Sequence, residues 1–159
     1  MESNSIKYHF TGCFFDQEVV LELASRYGDM RLSRIITCPH VTLDYKPGGI
    51  SEELLGEEVL FRIIGYGNDG KNEGFKVELC EASDELIRLY NNVDVPHITI
   101  SVADNSFAKY TSKIRFVTLS NPEYISGRFA VMMGVLPDEY DKIAYSVKDV
   151  SDIKNRLNL

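Results

Sequence analysis

Two pentapeptides with the same frame, PHVTL at residues 39–43 and PHITI at residues 96–100, organise this sequence. The chain has three histidines, and two of them occupy this frame. Successive side chains of a β-strand point to opposite faces, so the histidine and threonine of each frame share one face, and the two aliphatic residues share the other. The proline fits the first residue of a strand, where no ladder donor is required. We therefore predict two similar strands, each with an apolar side to bury and a side that presents an imidazole and a hydroxyl.

The segments around the frames show strand and helix signals in a repeated order. Asp16 and Ser83 are good helix N-caps, and each follows a strand-like apolar run. In the first half, the pattern predicts a strand at 8–15, a helix from Asp16 to a stop at Gly28, and then the first frame. An antiparallel hairpin at 57–82, a helix capped by Ser83 and the second frame follow. The chain then continues with strands at 113–120 and 127–135 around the turn NPEYIS, and with a terminal helix that starts at Ser146 or Ser151.

Both halves of the chain thus follow the order strand, capped helix, Pro-His strand, and no linker rich in Pro, Gly or Ser separates them. We predict a single α+β domain over residues 1–159, made of two related lobes that each carry one frame. In this fold two antiparallel sheets face each other across a cleft, and the helices cover the outer faces. A chain of 159 residues can bury such a core without a disulfide or a structural metal.

Composition narrows the function classes. A net charge of −7 argues against general binding of a nucleic-acid backbone, which depends on many Lys and Arg contacts, but is compatible with a small phosphorylated ligand. Cys13, Cys38 and Cys80 are odd in number and lack Cys-x-x-Cys spacing, which indicates a reducing compartment. The N-terminus has no secretory signal pattern, and no apolar run approaches the length of a membrane span. We expect a cytoplasmic monomer that does not contact a membrane.

Paired imidazoles suit the acid–base cleavage of a phosphate ester. The ordinary imidazole pKa near 6.5 lets one histidine accept a proton while the other, charged, donates one. A neighbouring threonine hydroxyl can donate to a non-bridging phosphate oxygen and stabilise the charge that builds there. Either frame alone is typical of an ordinary strand with a half-buried histidine, but the two together favour a site.

The two His-x-Thr-x motifs with hydrophobic x positions, HVTL and HITI, resemble the paired signature of the two-histidine (2H) phosphoesterase superfamily, which includes the cyclic phosphodiesterase domains of RNA-repair and tRNA-ligation enzymes. The resemblance extends over nearly the whole chain, because the strand and helix order and the length also agree. It implies that His40 and His97 are the catalytic acid–base pair and that Thr42 and Thr99 bind the substrate phosphate. Members of this superfamily work without a metal.

The reaction implied by the resemblance is metal-independent hydrolysis of a cyclic nucleotide phosphodiester. The family-typical substrate is a 2′,3′-cyclic phosphate on a nucleotide or an RNA end. The near-identical frames leave open which histidine is the base and which is the acid. Two alternatives stay open: a hydrolase of cyclic di- or oligonucleotide signals, of the kind that serves phage immune evasion, and a non-catalytic module that binds a nucleotide without turning it over.

Other candidate site residues lie near the first frame or carry aromatic rings. Lys46 follows the first motif and is a candidate phosphate contact. Tyr8, Tyr45 and Tyr124, together with Phe10, are candidates for stacking on a base.

Two further residues have weaker patterns. Asp44 shares the strand face of the first motif's histidine and threonine, which leaves a metal site as a lesser alternative, although no carboxylate-rich ligand set accompanies the histidines. His9, in the first strand, is interpreted as structural. We therefore expect no metal and no cofactor.

Overall fold

The computed structural model describes residues 5–45, 51–136 and 140–157, which form a mixed α+β fold around one large antiparallel sheet. The strands are β1 (Ser5–Phe14), β2 (Arg34–Ile35), β3 (His40–Asp44), β4 (Glu58–Asn68), β5 (Asn72–Glu81), β6 (His97–Val102), β7 (Val117–Leu136) and β8 (Tyr140–Ala144). The helices are α1 (Gln17–Ser25), α2 (Asp84–Tyr90) and α3 (Val147–Arg156), with two short 3₁₀ helices, η1 (Glu52–Leu54) and η2 (Ala108–Lys113). A helix with the length and apolarity of a membrane span is absent from these ranges.

The predicted helix starts are confirmed by the capping hydrogen bonds. The Asp16 carboxylate accepts from two backbone N–H groups in the first turn of α1, at 2.8 and 3.3 Å. Ser83 and Ser146 each accept from the N–H of the third residue of α2 and α3, respectively. Each such bond satisfies an otherwise unpaired N–H and is worth about 1 kcal/mol. The terminal helix therefore starts after Ser146, and not at Ser151.

The predicted hairpin is also confirmed, since β4 and β5 pair antiparallel along their length. Its turn is stabilised by Asp69, whose carboxylate accepts from the N–H groups of Lys71 and Asn72 at 2.9 and 2.8 Å. Gly70 has a φ of 84°, in the left-handed region that glycine adopts without strain. The local sequence thus determines the turn.

The sheet curls so that its two ends approach each other. The strand order is β2-β6-β5-β4-β7-β1-β3, and β8 pairs with β7. β3 and β6, which carry the two frames, lie near opposite ends of this order, yet they are in contact. The two separate facing sheets of the prediction are not confirmed, because the described strands form one hydrogen-bonded sheet.

The structure has one long strand, β7, where the sequence predicts two strands around the turn NPEYIS. Along β4, Ile63 pairs with Glu123 but Gly65 pairs with Thr118, so the residues between Thr118 and Glu123 bulge out of the ladder. Pro122, which has no N–H to donate, lies in this bulge. The predicted turn is therefore wrong: Asn121 and Pro122 lie in a bulge, and Glu123 to Ser126 pair with β4 within one continuous strand.

The connection from β2 to β3 joins the two ends of the sheet. β2 pairs with the end of β6, and the N–H of Ile36 continues this pairing by donating to the Ile100 carbonyl at 3.0 Å. The Pro39 carbonyl then accepts from the N–H of Phe15, just past the end of β1, at 2.9 Å. Residues 36–39 thus form a short connection from β6 to β1, and β3 begins beside β6.

A buried polar cluster is centred on Glu73 of β5, which has no exposed surface. Its carboxylate accepts from the Ser101 hydroxyl at 2.7 Å and from the Tyr66 hydroxyl, and it forms an ion pair with Arg31 at 3.0 Å. Ser101 Oγ accepts in turn from the N–H of Leu32 at 2.9 Å. Burial, and then the hydrogen bond to Glu73, raise the pKa of Tyr66 to about 12. The cluster attaches the loop after α1 to β5 and β6.

Candidate active site

The polar faces of the two frames meet in one pocket of about 290 Å³. His40 and Thr42, from β3, line it together with His97 and Thr99, from β6. The aliphatic residues between them point the other way and are buried in the core. The structure therefore brings together all four residues that the frames single out, because the alternation of each strand and the curl of the sheet aim both polar faces at the same space.

Each histidine ring is held by the backbone carbonyl two residues earlier. His40 Nδ1 lies 2.9 Å from the Cys38 oxygen, and His97 Nδ1 lies 2.7 Å from the Val95 oxygen. A carbonyl oxygen can only accept, so each Nδ1 carries a hydrogen and donates it, and each Nε2 remains for a substrate. The proline between acceptor and histidine fixes one backbone torsion of this small loop. The shared proline of the two frames thus helps to set the same ring orientation twice.

Burial lowers the pKa of both imidazoles below the ordinary value of 6.5. Loss of water around the charged ring is the main cause, and the hydrogen bond to the backbone carbonyl opposes it in part. For His40, a charge on His97 lowers the pKa further. Protonation of His97 therefore makes protonation of His40 harder.

A chain of buried side chains supports Thr99. Thr99 Oγ1 lies 2.9 Å from Thr111 Oγ1, which accepts from the Asn72 amide at 3.0 Å. The same amide nitrogen donates to the Phe107 carbonyl at 2.8 Å, and the Asn72 oxygen accepts from the Ser106 hydroxyl at 2.5 Å, which fixes the orientation of the amide. The Thr99 hydroxyl donates to Thr111 and lies 3.5 Å from the Ala108 carbonyl oxygen. A hydroxyl hydrogen can rotate, so when a ligand is bound Thr111 can donate to Thr99 and the Thr99 hydrogen can turn to the ligand.

Thr42 lies at a close approach of β3 to β1. Its partner in β1 is Gly12, and the register of the pair shifts between Thr11 and Gly12. A Cβ at Gly12 would overlap the Val41 carbonyl oxygen and lie 3.2 Å from the Thr42 Cα. Glycine at this position therefore allows β3 to pack closely enough against β1 for Thr42 to line the pocket.

Aromatic rings pack against His40 and extend the pocket wall. Phe10 stacks on the imidazole with 4.6 Å between ring centroids, and the Phe14 ring is 5.2 Å away. The Tyr45 ring is tilted toward Phe10 at 6.3 Å and is 70% exposed. Tyr45 therefore presents an open ring face at the pocket, where a nucleobase can stack.

Lys109, in η2, is a cation of the pocket that the sequence analysis did not identify. Its Nζ lies 5.8 Å from the ring centroid of Phe107 and 5.3 Å from that of Tyr110, so two exposed rings hold the ammonium at the rim. The available signal in the sequence is the stretch FAKY at 107–110, a lysine between aromatic residues shortly after the second frame. That pattern occurs in many surface segments and has little specificity.

The other predicted site residues lie elsewhere or outside the described residues. Lys46 lies outside the described residues. Tyr8 packs against the smaller core cluster of β7, β8 and α3, and Tyr124 is exposed on β7, so neither lines this pocket. Asp44 is the last residue of β3. Within the described ranges, no group of three or more His, Cys, Asp and Glu side chains is arranged to hold a metal ion.

Compared with models of protein families and with curated proteins, the sequence matches none of them. Evidence for a function therefore comes from the residues of the pocket and their geometry.

Proposed function

We propose that this chain is a phosphodiesterase of the two-histidine type, which hydrolyses a cyclic nucleotide phosphodiester without a metal. Its proposed substrate is a 2′,3′-cyclic phosphate on a nucleotide or an RNA end. The observation that carries the proposal is the meeting of two imidazoles, each held through Nδ1, with two threonine hydroxyls in one pocket. In this proposal the two ends of the curled sheet correspond to the two lobes of the superfamily fold, with one frame in each.

The two rings divide the two proton transfers of the reaction. The neutral histidine accepts a proton at Nε2 from a water molecule that attacks phosphorus in line with the departing oxygen. The protonated histidine donates its Nε2 hydrogen to the ribose oxygen as the bond from that oxygen to phosphorus breaks. The Nδ1 hydrogen bond persists in both states, so neither ring has to reorient. Side chains thus supply both the base and the acid.

The remaining polar groups of the pocket face the phosphate. Thr42 and Thr99 can each donate to one non-bridging oxygen, and these bonds strengthen as negative charge builds on the oxygens. The Thr99 hydroxyl is oriented by Thr111, so less freedom is lost when substrate binds. Lys109 at the rim adds a positive charge, which attracts the anionic substrate to an otherwise acidic protein.

A substrate panel tests the proposed function. It contains the four 2′,3′-cyclic mononucleotides, an RNA ending in a cyclic phosphate, and a cyclic dinucleotide, each incubated with EDTA. We expect ring opening of a 2′,3′-cyclic phosphate to a monoester. Stoichiometric binding of a cyclic nucleotide without product after long incubation would contradict the proposal and support a sequestering module.

The pH dependence of kcat/KM follows from the lowered histidine pKa values. We expect a bell-shaped profile with its maximum below pH 6.5, because burial depresses both pKa values in the free enzyme. Above the bell both rings are neutral and the acid is lost; below it both are charged and the base is lost. A bound phosphate anion stabilises an imidazolium, so the upper limb of kcat should lie at higher pH than that of kcat/KM. Initial rates at constant ionic strength from about pH 4 to about pH 8 check this, and a profile that still rises above neutral pH would contradict it.

Removal of the rim cation should weaken substrate capture. We expect Lys109→Ala to lower kcat/KM about tenfold, mainly through KM, since a charge-assisted contact to phosphate is worth about 1.5–3 kcal/mol. The loss should shrink as salt is added, because the group is exposed. Lys113→Ala, in the same 3₁₀ helix but outside the pocket lining, is the matched control and should change kcat/KM less than twofold. Equal losses in the two variants would show that Lys109 has no specific contact.

We also propose that the protein works as a cytoplasmic monomer on a small nucleotide or RNA-end substrate. The three cysteines, which are all unpaired, support a reducing compartment.

A further inference from the structure

A second cavity, of about 810 Å³, adjoins the pocket of the two frames. Phe10, Ile36 and His40 line both spaces, so the two lie on either side of these three side chains. A single cyclic mononucleotide bound at the histidines leaves this second space free. The cavity therefore has room for a further ligand group, attached to the group that the histidines bind.

The floor of this cavity is apolar. Phe10 pairs with Met132 across β1 and β7, and Met132 pairs with Ile143 across β7 and β8. Directly paired residues of antiparallel strands share one face, so these three side chains form a row. Phe14, four residues after Phe10 on β1 and therefore on the same face, pairs with His40, which places the row on the same sheet face as the histidine. A planar, largely apolar group such as a nucleobase fits against such a row.

A polar edge borders this floor. β1 shifts register between Tyr8 and Phe10, and this bulge turns His9 into the cavity, where its ring lies on Gly134. His9 Nε2 lies 3.3 Å from an Asp141 carboxylate oxygen, and the Asp141 side chain is 61% exposed. The carboxylate thus keeps capacity to accept further hydrogen bonds. It favours the N–H groups that line the edge of a base. Lys142, which also lines the cavity, places a positive charge there.

We propose that this cavity binds a second nucleoside, joined through a phosphodiester to the nucleotide at the histidine pair, with its base on the Phe10–Met132–Ile143 row and its N–H edge at Asp141. The inference rests on the proposed function and names its substrate class: a dinucleotide or a longer unit is preferred over a mononucleotide. The second nucleoside can be the penultimate residue of an RNA end or the other half of a cyclic dinucleotide.

The test compares kcat/KM for a 2′,3′-cyclic mononucleotide, for the dinucleotide with the same terminal cyclic phosphate, and for a cyclic dinucleotide. We expect at least one of the two larger substrates to exceed the mononucleotide about tenfold or more, as the contacts of one base with a carboxylate and an apolar floor allow. The larger substrate whose kcat/KM exceeds that of the mononucleotide identifies the source of the second nucleoside.

Two variants connect the preference to the cavity. Asp141→Ala removes the carboxylate at the polar edge. Ile143→Trp fills the cavity with a larger side chain. In both variants the ratio of kcat/KM for the dinucleotide to kcat/KM for the mononucleotide should fall toward one. Asp152→Ala, an exposed aspartate of α3 away from the cavity, is the charge-matched control and should keep the ratio.

Hydrolysis of the mononucleotide with no preference for either larger substrate would overturn the second site alone. If no substrate is hydrolysed and the mononucleotide and both dinucleotides bind with equal Kd, the second site and the proposed function both fail.

Discussion

Replacement of either frame histidine should abolish most of the activity. We expect His40→Asn and His97→Asn each to lower kcat about 100-fold or more, the usual worth of a general acid or base. Asparagine can still donate from its amide to the Cys38 or Val95 carbonyl, so the local backbone keeps the partner that His Nδ1 provides. It has no group at the Nε2 position, so proton transfer is lost while the fold is retained. Initial rates on a 2′,3′-cyclic mononucleotide, with thermal unfolding as a fold control, measure the effect.

The same variants assign the two roles, which the near-identical frames leave open. The variant that lacks the base should lose the acidic limb of its residual pH profile, and the variant that lacks the acid should lose the basic limb. A structural histidine would change the unfolding temperature and leave the shape of the pH profile intact. Variants that keep both limbs and wild-type kcat would rule out the acid–base pair.

Loss of the Glu73 carboxylate should cause the largest fall in stability. We expect Glu73→Ala to lower the free energy of unfolding by about 3–5 kcal/mol, since it leaves a largely buried guanidinium without its counter-charge. Arg31 is only 16% exposed, and the hydroxyls of Tyr66 and Ser101 lose their acceptor at the same time. Urea denaturation at neutral pH measures the change. Glu73→Gln keeps an acceptor for the hydroxyls and should fall between wild type and Glu73→Ala.

Glu78→Ala is the matched control for this prediction. Glu78 lies on the same strand and also pairs with an arginine, Arg62, at 2.6 Å, but the two side chains are 47% and 38% exposed. We expect this variant to lose about 0–1 kcal/mol, because water solvates each partner when the other is removed. If Glu73→Ala lost no more stability than Glu78→Ala, the buried cluster would not hold the loop after α1 in place.

The parts of the site that depend on alternation along a strand could be predicted from the sequence. The face shared by histidine and threonine follows from the two-residue period, and it is the same in any sheet arrangement. The helix caps at Asp16, Ser83 and Ser146 are equally local, because each needs only a side chain that reaches its own first turn. These predictions hold because each capping bond is made within a single turn of the chain.

The parts that depend on packing could not be predicted. Lys109 reaches the pocket because η2 lies close to β5, where a Cβ at Gly74 would come within 2.5 Å of the Thr111 side chain. A single sequence does not show which surface segment will pack against a given glycine. The prediction of a turn at NPEYIS is wrong for a related reason. A bulge and a turn use the same residue types, and only the pairing of β7 with β4 distinguishes them.

The meeting of β3 and β6 also bears on the order in which the protein folds. The β4–β5 hairpin joins neighbours in the chain, whereas Ser5 at the start of β1 pairs with Leu136 at the end of β7, which closes a loop of most of the chain. Such non-local pairings carry a high loop-closure entropy and form late. His40 and His97 share a pocket only after the ends of the sheet have joined. We therefore expect a partly folded chain with most of its secondary structure to lack the pocket, and recovery of the proposed activity during refolding to trail the recovery of circular dichroism.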